Sequence, residues 1–359
     1  MDFAREKLVR SGMEQFAGPA NVQSAIAFFA DIVVYVVAVA CAVLAEPIWL
    51  KVAAVVIAGT ATSMLFILGH DAAHMSLFSS RRANASFGRI AFLPCLHNYT
   101  LWVIQHNRLH HQSTNVRGLN SFSPLSADEF NALPLWRRGV ERLYRSVPGF
   151  GAYYLVERWW KDKFFPRSAT PAVKARIARR DFALLLVWLA ALCGALVWLD
   201  ASFGREGPAL AIVWGFVAPF LVWNALMGMT AWLQHTSPRI PWFRTPAESR
   251  LVKTQAELAT FIRYPRWYDL ISHNIMHHPA HHVNARISWF RLSAAQRHLD
   301  HMLGTDAIGA PIGLKYVFGL TRQCQLYDYE RHQWLDFSGR PTTEATGDEH
   351  APELVSHAD

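Results

Sequence analysis

Histidine, whose imidazole nitrogens bind metals, is concentrated in three short stretches of this sequence. They are GHDAAH (69–74), QHNRLHH (105–111) and HNIMHHPAHH (273–282), and the last has histidine at five of its ten positions. On a helix, His70 and His74 share one face because they are four residues apart. A lone His235 directly follows a long apolar segment. This repeated clustering predicts metal binding, whereas a single HxxxH pair would be weak evidence.

Nine histidines are the candidate ligands: His70, His74, His106, His110, His111, His235, His278, His281 and His282. This number suits two ions that each keep an open position. Zinc sites usually stop at four ligands, and no thiolate or methionine partner is near, which argues against copper. The E-x-x-H pairs of soluble di-iron proteins and the HExxH pattern of zinc proteases are both absent. The sequence predicts a nearly all-histidine di-iron centre, with no catalytic residue separate from it.

The other histidines near or beyond these stretches are given different roles. We expect His97, His298, His301 and His332 to be ordinary structural or surface residues. His277 is undecided, because on a helix it is turned about 100° from His278. His273 and Asp71 are candidates for groups that orient a ligand without binding the metal.

Four apolar segments must position these clusters. Hydrophobic residues make up 52% of the 359 residues and charged residues only 17%, below the ~25% typical of soluble domains. A bilayer is crossed by about 20 apolar residues, which predicts spans at 25–45, 49–69, 182–199 and 209–233, with a kink at Pro219. The connections at 46–48 and 200–208 are short. The spans therefore form two helical hairpins.

Basic residues predict the orientation of these spans. Arginine and lysine are abundant between spans two and three and scarce in the two short connections. Positive charge stays on the cytoplasmic side, so both termini and all histidine clusters are expected in the cytosol. The net charge of +8 reflects this bias and nearby anionic lipid, and no nucleic-acid partner is expected.

The predicted fold class is all-α. We expect an integral membrane protein with four transmembrane helices in two hairpins and a cytosolic helical cap that holds the di-metal site. The expected organisation is a cytosolic N-terminal segment (1–24), one membrane domain (25–340) and a polar, disordered tail (341–359). The four cysteines are widely separated, so neither a thiolate zinc site nor a disulfide framework is indicated.

Five stretches resemble the membrane fatty acid desaturases, most closely bacterial acyl-lipid desaturases of the delta-12 (omega-6) type. They are GHDAAHMSLF, QHNRLHHQSTN, YYLVERWWKDKFFPR, LQHTSPRIPWF and HNIMHHPAHHVNARI, within residues 60–297. The resemblance implies two iron ions as cofactor, dioxygen as co-substrate, and two electrons from a separate donor such as a ferredoxin or cytochrome b5. It also implies that the nine histidines are the iron ligands, with His235 as the extra one.

The expected reaction is the insertion of a double bond into an acyl chain of a membrane lipid. The alternative is an acyl-chain, alkane or carotenoid-type hydroxylase of the same superfamily, because rebound of hydroxyl competes with removal of a second hydrogen. A membrane transporter or bis-histidine haem protein would place such residues within the spans, and the spans here contain almost no histidine. Chain length, double-bond position, acyl carrier, donor and oligomeric state stay open.

Overall fold

The computed structural model describes residues 3–166, 172–204, 206–252, 255–304, 309–311 and 313–345. Within them the chain is mostly helical. In chain order the helices are α1 (Phe3–Met13), α2 (Asn21–Leu44), α3 (Ile48–Ala73), α4 (Arg81–Ala91), α5 (Tyr99–Ile104), α6 (Ala127–Ala132), α7 (Leu135–Tyr144), α8 (Gly149–Tyr153), α9 (Ala172–Phe203), α10 (Pro208–Ile212), α11 (Ala218–His235), α12 (Pro246–Val252), α13 (Arg266–Ile271), α14 (His278–Val283), α15 (Trp289–Leu303) and α16 (Leu314–Gln323). The predicted tail falls largely at 346–359, outside the described residues.

Helical turns of other types interrupt or extend these helices. Two are 3₁₀ turns, Glu14–Phe16 and Gln255–Leu258. Three have π-helical hydrogen bonding: Gln105–His110, Tyr154–Phe164 and Val213–Val217. The last of these joins α10 to α11 immediately before Pro219, whose missing N–H cannot continue a regular α-helical ladder.

Four helical segments are long and apolar enough to cross a membrane: Asn21–Leu44, Ile48–Ala73, Lys174–Phe203 and Pro208–His235. They coincide with the four predicted spans. The second and fourth extend beyond the prediction at the end that carries histidine, and the third is longer at both ends. The outer faces of α2 and α9 expose large aliphatic and aromatic side chains, such as Val37, Val187 and Trp198. Exposed apolar area of this kind is what lipid tails cover.

Close packing of α3, α8 and α11 positions the ends of the spans. A Cβ atom added to Gly59 of α3 would lie 2.6 Å from Cβ of Val222 in α11. A Cβ atom on Gly228 of α11 would lie 2.2 Å from the carbonyl oxygen of Phe150 in α8. Glycine is therefore needed where these backbones approach closely. Because α3 and α11 are packed in this way, their last turns are held side by side.

Asn98 connects three further segments near the second histidine stretch. Its side chain caps α5 by accepting from the Leu101 N–H at 3.2 Å. Its amide also donates to the carbonyl of Ala178 in α9 at 2.8 Å, and its backbone N–H donates to the carbonyl of Lys163 at 2.9 Å. Asn98 thereby fixes the helix that leads directly into Gln105–His110.

The mostly helical fold that the sequence predicts is confirmed, and four short strands, which were not predicted, are also present among the described residues. β1 (Phe261–Arg263) pairs in parallel with β2 (Gly309–Pro311), and β3 (Leu326–Asp328) pairs antiparallel with β4 (Gln333–Leu335). The registers place Ile262 beside Ala310 and Tyr327 beside Trp334. Each strand has only three residues, too few for alternating apolar residues to indicate a strand from sequence.

Candidate metal centre

The nine predicted ligands come from the ends of four helical segments. His70 lies in the last turn of α3 and His74 is the residue that ends it. His106 and His110 lie in the π-helical turn, and His111 follows it. His235 is the last residue of α11, and α14 carries His278, His281 and His282. Pro279 lies in the first turn of α14, where a missing N–H costs nothing, so it starts the helix without bending it.

The structure brings these nine histidines into two groups. Within each group the potential ligand atoms all lie within 4.8 Å of one another. The five-histidine group consists of His70, His74, His106, His111 and His281. The four-histidine group consists of His110, His235, His278 and His282.

The π-helical turn explains how the second stretch divides between the groups. An α-helical reading would pair His106 with His110, four residues on. In the structure the His111 N–H donates to the His106 carbonyl at 3.1 Å, and the Nε2 atoms of these two residues are 3.0 Å apart. His110 turns towards the other group, with its ring centroid 4.6 Å from that of His235. Adjacent residues also separate in α14, where His281 and His282 belong to different groups.

The ring nitrogens converge in a way that hydrogen bonding alone does not satisfy. His111 Nε2 lies 3.0 Å from His106 Nε2 and 3.1 Å from His281 Nε2. His278 Nε2 lies 3.0 Å from the Nε2 atoms of both His235 and His282. One nitrogen offers either a single proton or a single lone pair, so these triplets cannot all be paired.

Two further nitrogens of the five-histidine group lack any partner. His70 Nε2 and His74 Nε2 are buried and make no hydrogen bond among the described residues. A buried polar atom without a partner is costly, and a metal ion at the centre of each group would satisfy it. The donor set, imidazole nitrogens without thiolates, fits iron.

Burial keeps these imidazoles in the neutral form that binds metal. It lowers the pKa of His74, His106, His111, His281 and His282 well below the ordinary value, and neighbouring histidines lower it further. Burial also lowers the pKa of His110 to about 4, although the hydrogen bond that its Nδ1 donates to Asn120 Oδ1 raises it. The groups are therefore ready to bind a cation without first losing protons.

Several neighbours hold the Nδ1 atoms so that Nε2 points inwards. Asp71 Oδ1 lies 3.1 Å from His70 Nδ1, and its Oδ2 accepts from the Trp289 N–H at 2.6 Å. In the four-histidine group, His110 Nδ1 lies 2.5 Å from Asn120 Oδ1 and His282 Nδ1 lies 3.3 Å from the Thr114 hydroxyl. His235 Nδ1 lies 3.4 Å from the Leu258 carbonyl oxygen. Asp71 is predicted from the sequence because it is adjacent to His70. Asn120, Thr114 and the Leu258 carbonyl are not predicted, because no sequence spacing relates them to the histidines that they contact.

The remaining histidines among the described residues lie outside both groups. His273 Nε2 lies 2.7 Å from Asp31 Oδ2 in α2, and its ring meets Trp289 at 4.7 Å. It therefore contacts no predicted ligand directly. His277 stacks on Phe261 at 4.7 Å.

His97 and His298 have structural environments of their own. His97 Nε2 lies 3.0 Å from the Tyr154 hydroxyl, and burial lowers the pKa of His97 to about 3. His298 Nε2 lies 3.2 Å from Gln15 Nε2.

A cavity of about 160 Å³ lies against both groups. It is bordered by His70 and His106 of the five-histidine group, and by His110, His235 and His278 of the four-histidine group. Thr60, Ser63 and Ile67 continue its wall along α3, so it follows this helix for about 15 Å at 1.5 Å per residue. Apolar side chains of the spans, including Phe66, Ile67 and Leu226, supply much of its wall, which suits a hydrocarbon chain.

Comparisons with known proteins agree on one family. The family model for fatty acid desaturases matches residues 47–309. A chloroplastic omega-6 fatty acid desaturase of Glycine max is 27% identical over 76% of this chain and 62% of its own length. An sn-1 oleoyl-lipid 12-desaturase of Synechocystis sp. is 29% identical over 76% of this chain and 74% of its own. An sn-1 acyl-lipid omega-3 desaturase (ferredoxin) of Synechocystis sp. is 31% identical over 69% of this chain and 67% of its own.

Proposed function

The chain belongs to the fatty acid desaturase family, and on that premise we propose that it inserts a double bond into an acyl chain of a membrane lipid. The observation that carries this proposal is the convergence of nine histidines into two groups beside a mainly apolar cavity. The resemblance found in the sequence and the family match agree. Relatives named as acyl-lipid 12- and omega-3 desaturases support a lipid-bound acyl chain as substrate.

The nine histidines are the proposed ligands of two iron ions, one in each group. When bound, this pair of ions would supply the chemistry by which dioxygen, two external electrons and two protons remove two hydrogen atoms from adjacent carbons, with two molecules of water as the other product. The protein supplies the neutral imidazoles and the Nδ1 contacts that aim them. It also buries the groups, which limits access of water and of competing reductants.

The cavity wall positions the substrate. Side chains of α3 and α11 border it, including Phe66, Ile67, Leu226 and Met227. A hydrocarbon chain enclosed between these side chains has fewer conformations than in the bilayer, so a chosen pair of carbons can be held beside the histidines.

For topology we propose the two hairpins and the cytosolic cap of the sequence analysis. The candidate spans end at His235 and just before His74, so both groups lie on one side of the bilayer. The basic segments flank that same side, which supports a cytosolic orientation. Residues 25–340 would form the single desaturase domain.

A separate protein must supply the electrons. The name of one relative includes ferredoxin, which supports a ferredoxin-type donor, and cytochrome b5 is the alternative. A basic cytosolic surface would steer an acidic carrier of either kind.

The test is expression in a host whose lipids contain only saturated and monounsaturated chains, followed by fatty-acid analysis. We expect a new, more unsaturated fatty acid with the wild-type chain and none with His110→Ala. His298→Ala is the matched control, since its side chain lies outside both groups, and it should retain the product. Identical profiles for the wild type and His110→Ala would contradict the proposal, and a hydroxylated product would favour the alternative reaction.

A further inference from the structure

Part of the cavity wall is polar and basic. It includes Gln105, Tyr154, Arg158 and Lys163. Three of these residues come from the π-helical segment Tyr154–Phe164, which packs against α11 and α5. Arg158 and Lys163 are the two cationic side chains in this wall, and nothing in the proposed di-iron site uses them.

Lys163 is the most unusual of the four. Its side chain is 5% exposed, yet no hydrogen bond or ion pair of its ammonium group is found among the residues that the structure describes. Its nearest acidic neighbour in the chain, Asp162, instead pairs with Arg158, whose Nη1 lies 2.9 Å from Asp162 Oδ2. Burying a cation without a counter-charge costs several kcal/mol, so a fold that retains one there requires compensation.

Two polar groups in the same part of the cavity wall also lack hydrogen-bond partners among the described residues. Arg158 Nε is buried and has no hydrogen-bond acceptor, and Gln105 Oε1 is buried without a donor. Burial lowers the pKa of Lys163 well below the usual lysine value and the positive charge of Arg158 lowers it further, while the negative charge of Asp162 offsets only part of this. The ammonium form is therefore costly until a negative charge arrives beside it.

We infer that Lys163 and Arg158 form a binding site for a singly charged oxyanion carried by the substrate, most simply the phosphodiester of a glycerophospholipid. One uncompensated cation matches one negative charge. Charge-assisted hydrogen bonds from an ammonium and a guanidinium suit phosphate or carboxylate oxygens. In a phosphatidylglycerol, the hydroxyl groups of the headgroup could donate to Gln105 Oε1, which lacks a partner. This inference rests on the proposed function and deepens it, since it names the class of lipid that enters the cavity.

Two sources could supply this oxyanion, a phospholipid headgroup or the carboxylate of a free fatty acid. Binding assays with the purified full chain can separate them without turnover. The probes are dioleoyl phosphatidylglycerol, a neutral dioleoyl galactosylglycerol with the same acyl chains, and oleate. Dissociation constants come from native mass spectrometry, with the thermal shift that each lipid causes as a second readout.

For the wild type we expect the phosphatidylglycerol to bind about tenfold more tightly than the galactolipid, as one charge-assisted hydrogen bond implies. Lys163→Gln should abolish this difference, and Lys163→Arg should keep most of it. Lys161→Gln is the matched control, because Lys161 is on the same segment but is exposed and paired with Glu157. A Lys163-dependent preference for oleate alone would assign the oxyanion to a fatty acid carboxylate.

A folding defect is separable from loss of binding. Removing an uncompensated buried cation should leave the melting temperature of the lipid-free protein unchanged or raised, whereas the stabilisation by phosphatidylglycerol should disappear. The inference is overturned if the wild type binds the galactolipid equally well, or if Lys163→Gln keeps the preference. Neither result would change the expected fatty-acid profiles. The desaturase proposal is therefore tested separately, by the expression experiment.

Discussion

The five-histidine and four-histidine groups differ in how the protein supports them. In the four-histidine group three Nδ1 atoms contact side chains or a carbonyl from outside the histidine stretches. In the five-histidine group the corresponding support is Asp71 beside His70, and two Nε2 atoms lack any partner. The four-histidine group is therefore organised mainly by its surroundings, and the five-histidine group mainly by what binds at its centre.

The two groups also differ in their access to the cavity. Three of the four histidines in the smaller group border it, against two of the five in the larger group. Iron accepts up to about six ligands, so an ion held by four imidazoles retains more open positions. We expect the four-histidine group to lie closer to the reacting carbons and the five-histidine group to serve mainly as its partner.

The largest expected effect is the loss of a ligand. His278→Ala and His74→Ala should each lower turnover more than about a hundredfold, because even removal of a group that only orients a ligand costs up to that much. They should differ in the metal that remains. Iron analysis of the purified variants should show that the five-histidine site is still loaded in His278→Ala. Poor iron loading of both sites in His74→Ala would instead show that the two sites fill together.

A smaller effect is expected from the residues that aim the ligands. Asn120→Ala and Asp71→Ala should each weaken iron binding by about 10- to 100-fold, measured by competition with a chelator. Both residues also hold backbone groups: Asn120 Nδ2 donates to the Ser113 carbonyl at 2.6 Å, and Asp71 Oδ2 accepts from the Trp289 N–H at 2.6 Å. Both variants should therefore lower thermal stability as well. Unchanged thermal stability of either variant would show that its backbone contact contributes little.

The smallest effect should appear in the pH dependence of the metal-free protein. Burial lowers the pKa of His110 to about 4, whereas in the unfolded chain it is about 6.5. Between these values the unfolded chain binds the extra proton, so the free energy of unfolding falls as pH falls, by about 1.4 kcal/mol per pH unit for each such histidine. Chemical denaturation at several pH values measures the slope. His110→Gln should reduce this slope, and an unchanged slope would show that other groups dominate it.

Spacing and topology predicted which histidines assemble, but not how they divide. The four apolar segments and the short connections place all clusters at span ends, and that is enough to bring His70 and His278 together. The division of His110 from His111 depends on backbone hydrogen bonding in a π-helical turn, which leaves no signature in residue type. The contacts of Asn120, Thr114 and the Leu258 carbonyl with the histidines form only when the chain folds, so they could not be predicted from the sequence either. The short strands were missed because three residues cannot show a period.

The separation of neighbouring histidines has a mechanical consequence. His110 and His111 are joined by one peptide unit, as are His281 and His282, yet each pair contributes to both groups. Two separate peptide linkages, whose bond lengths are nearly fixed, therefore restrict the distance between the two proposed metal positions. A change in either linkage should therefore displace ligands of both proposed metal sites at once, which leaves little freedom to alter one site without altering the other.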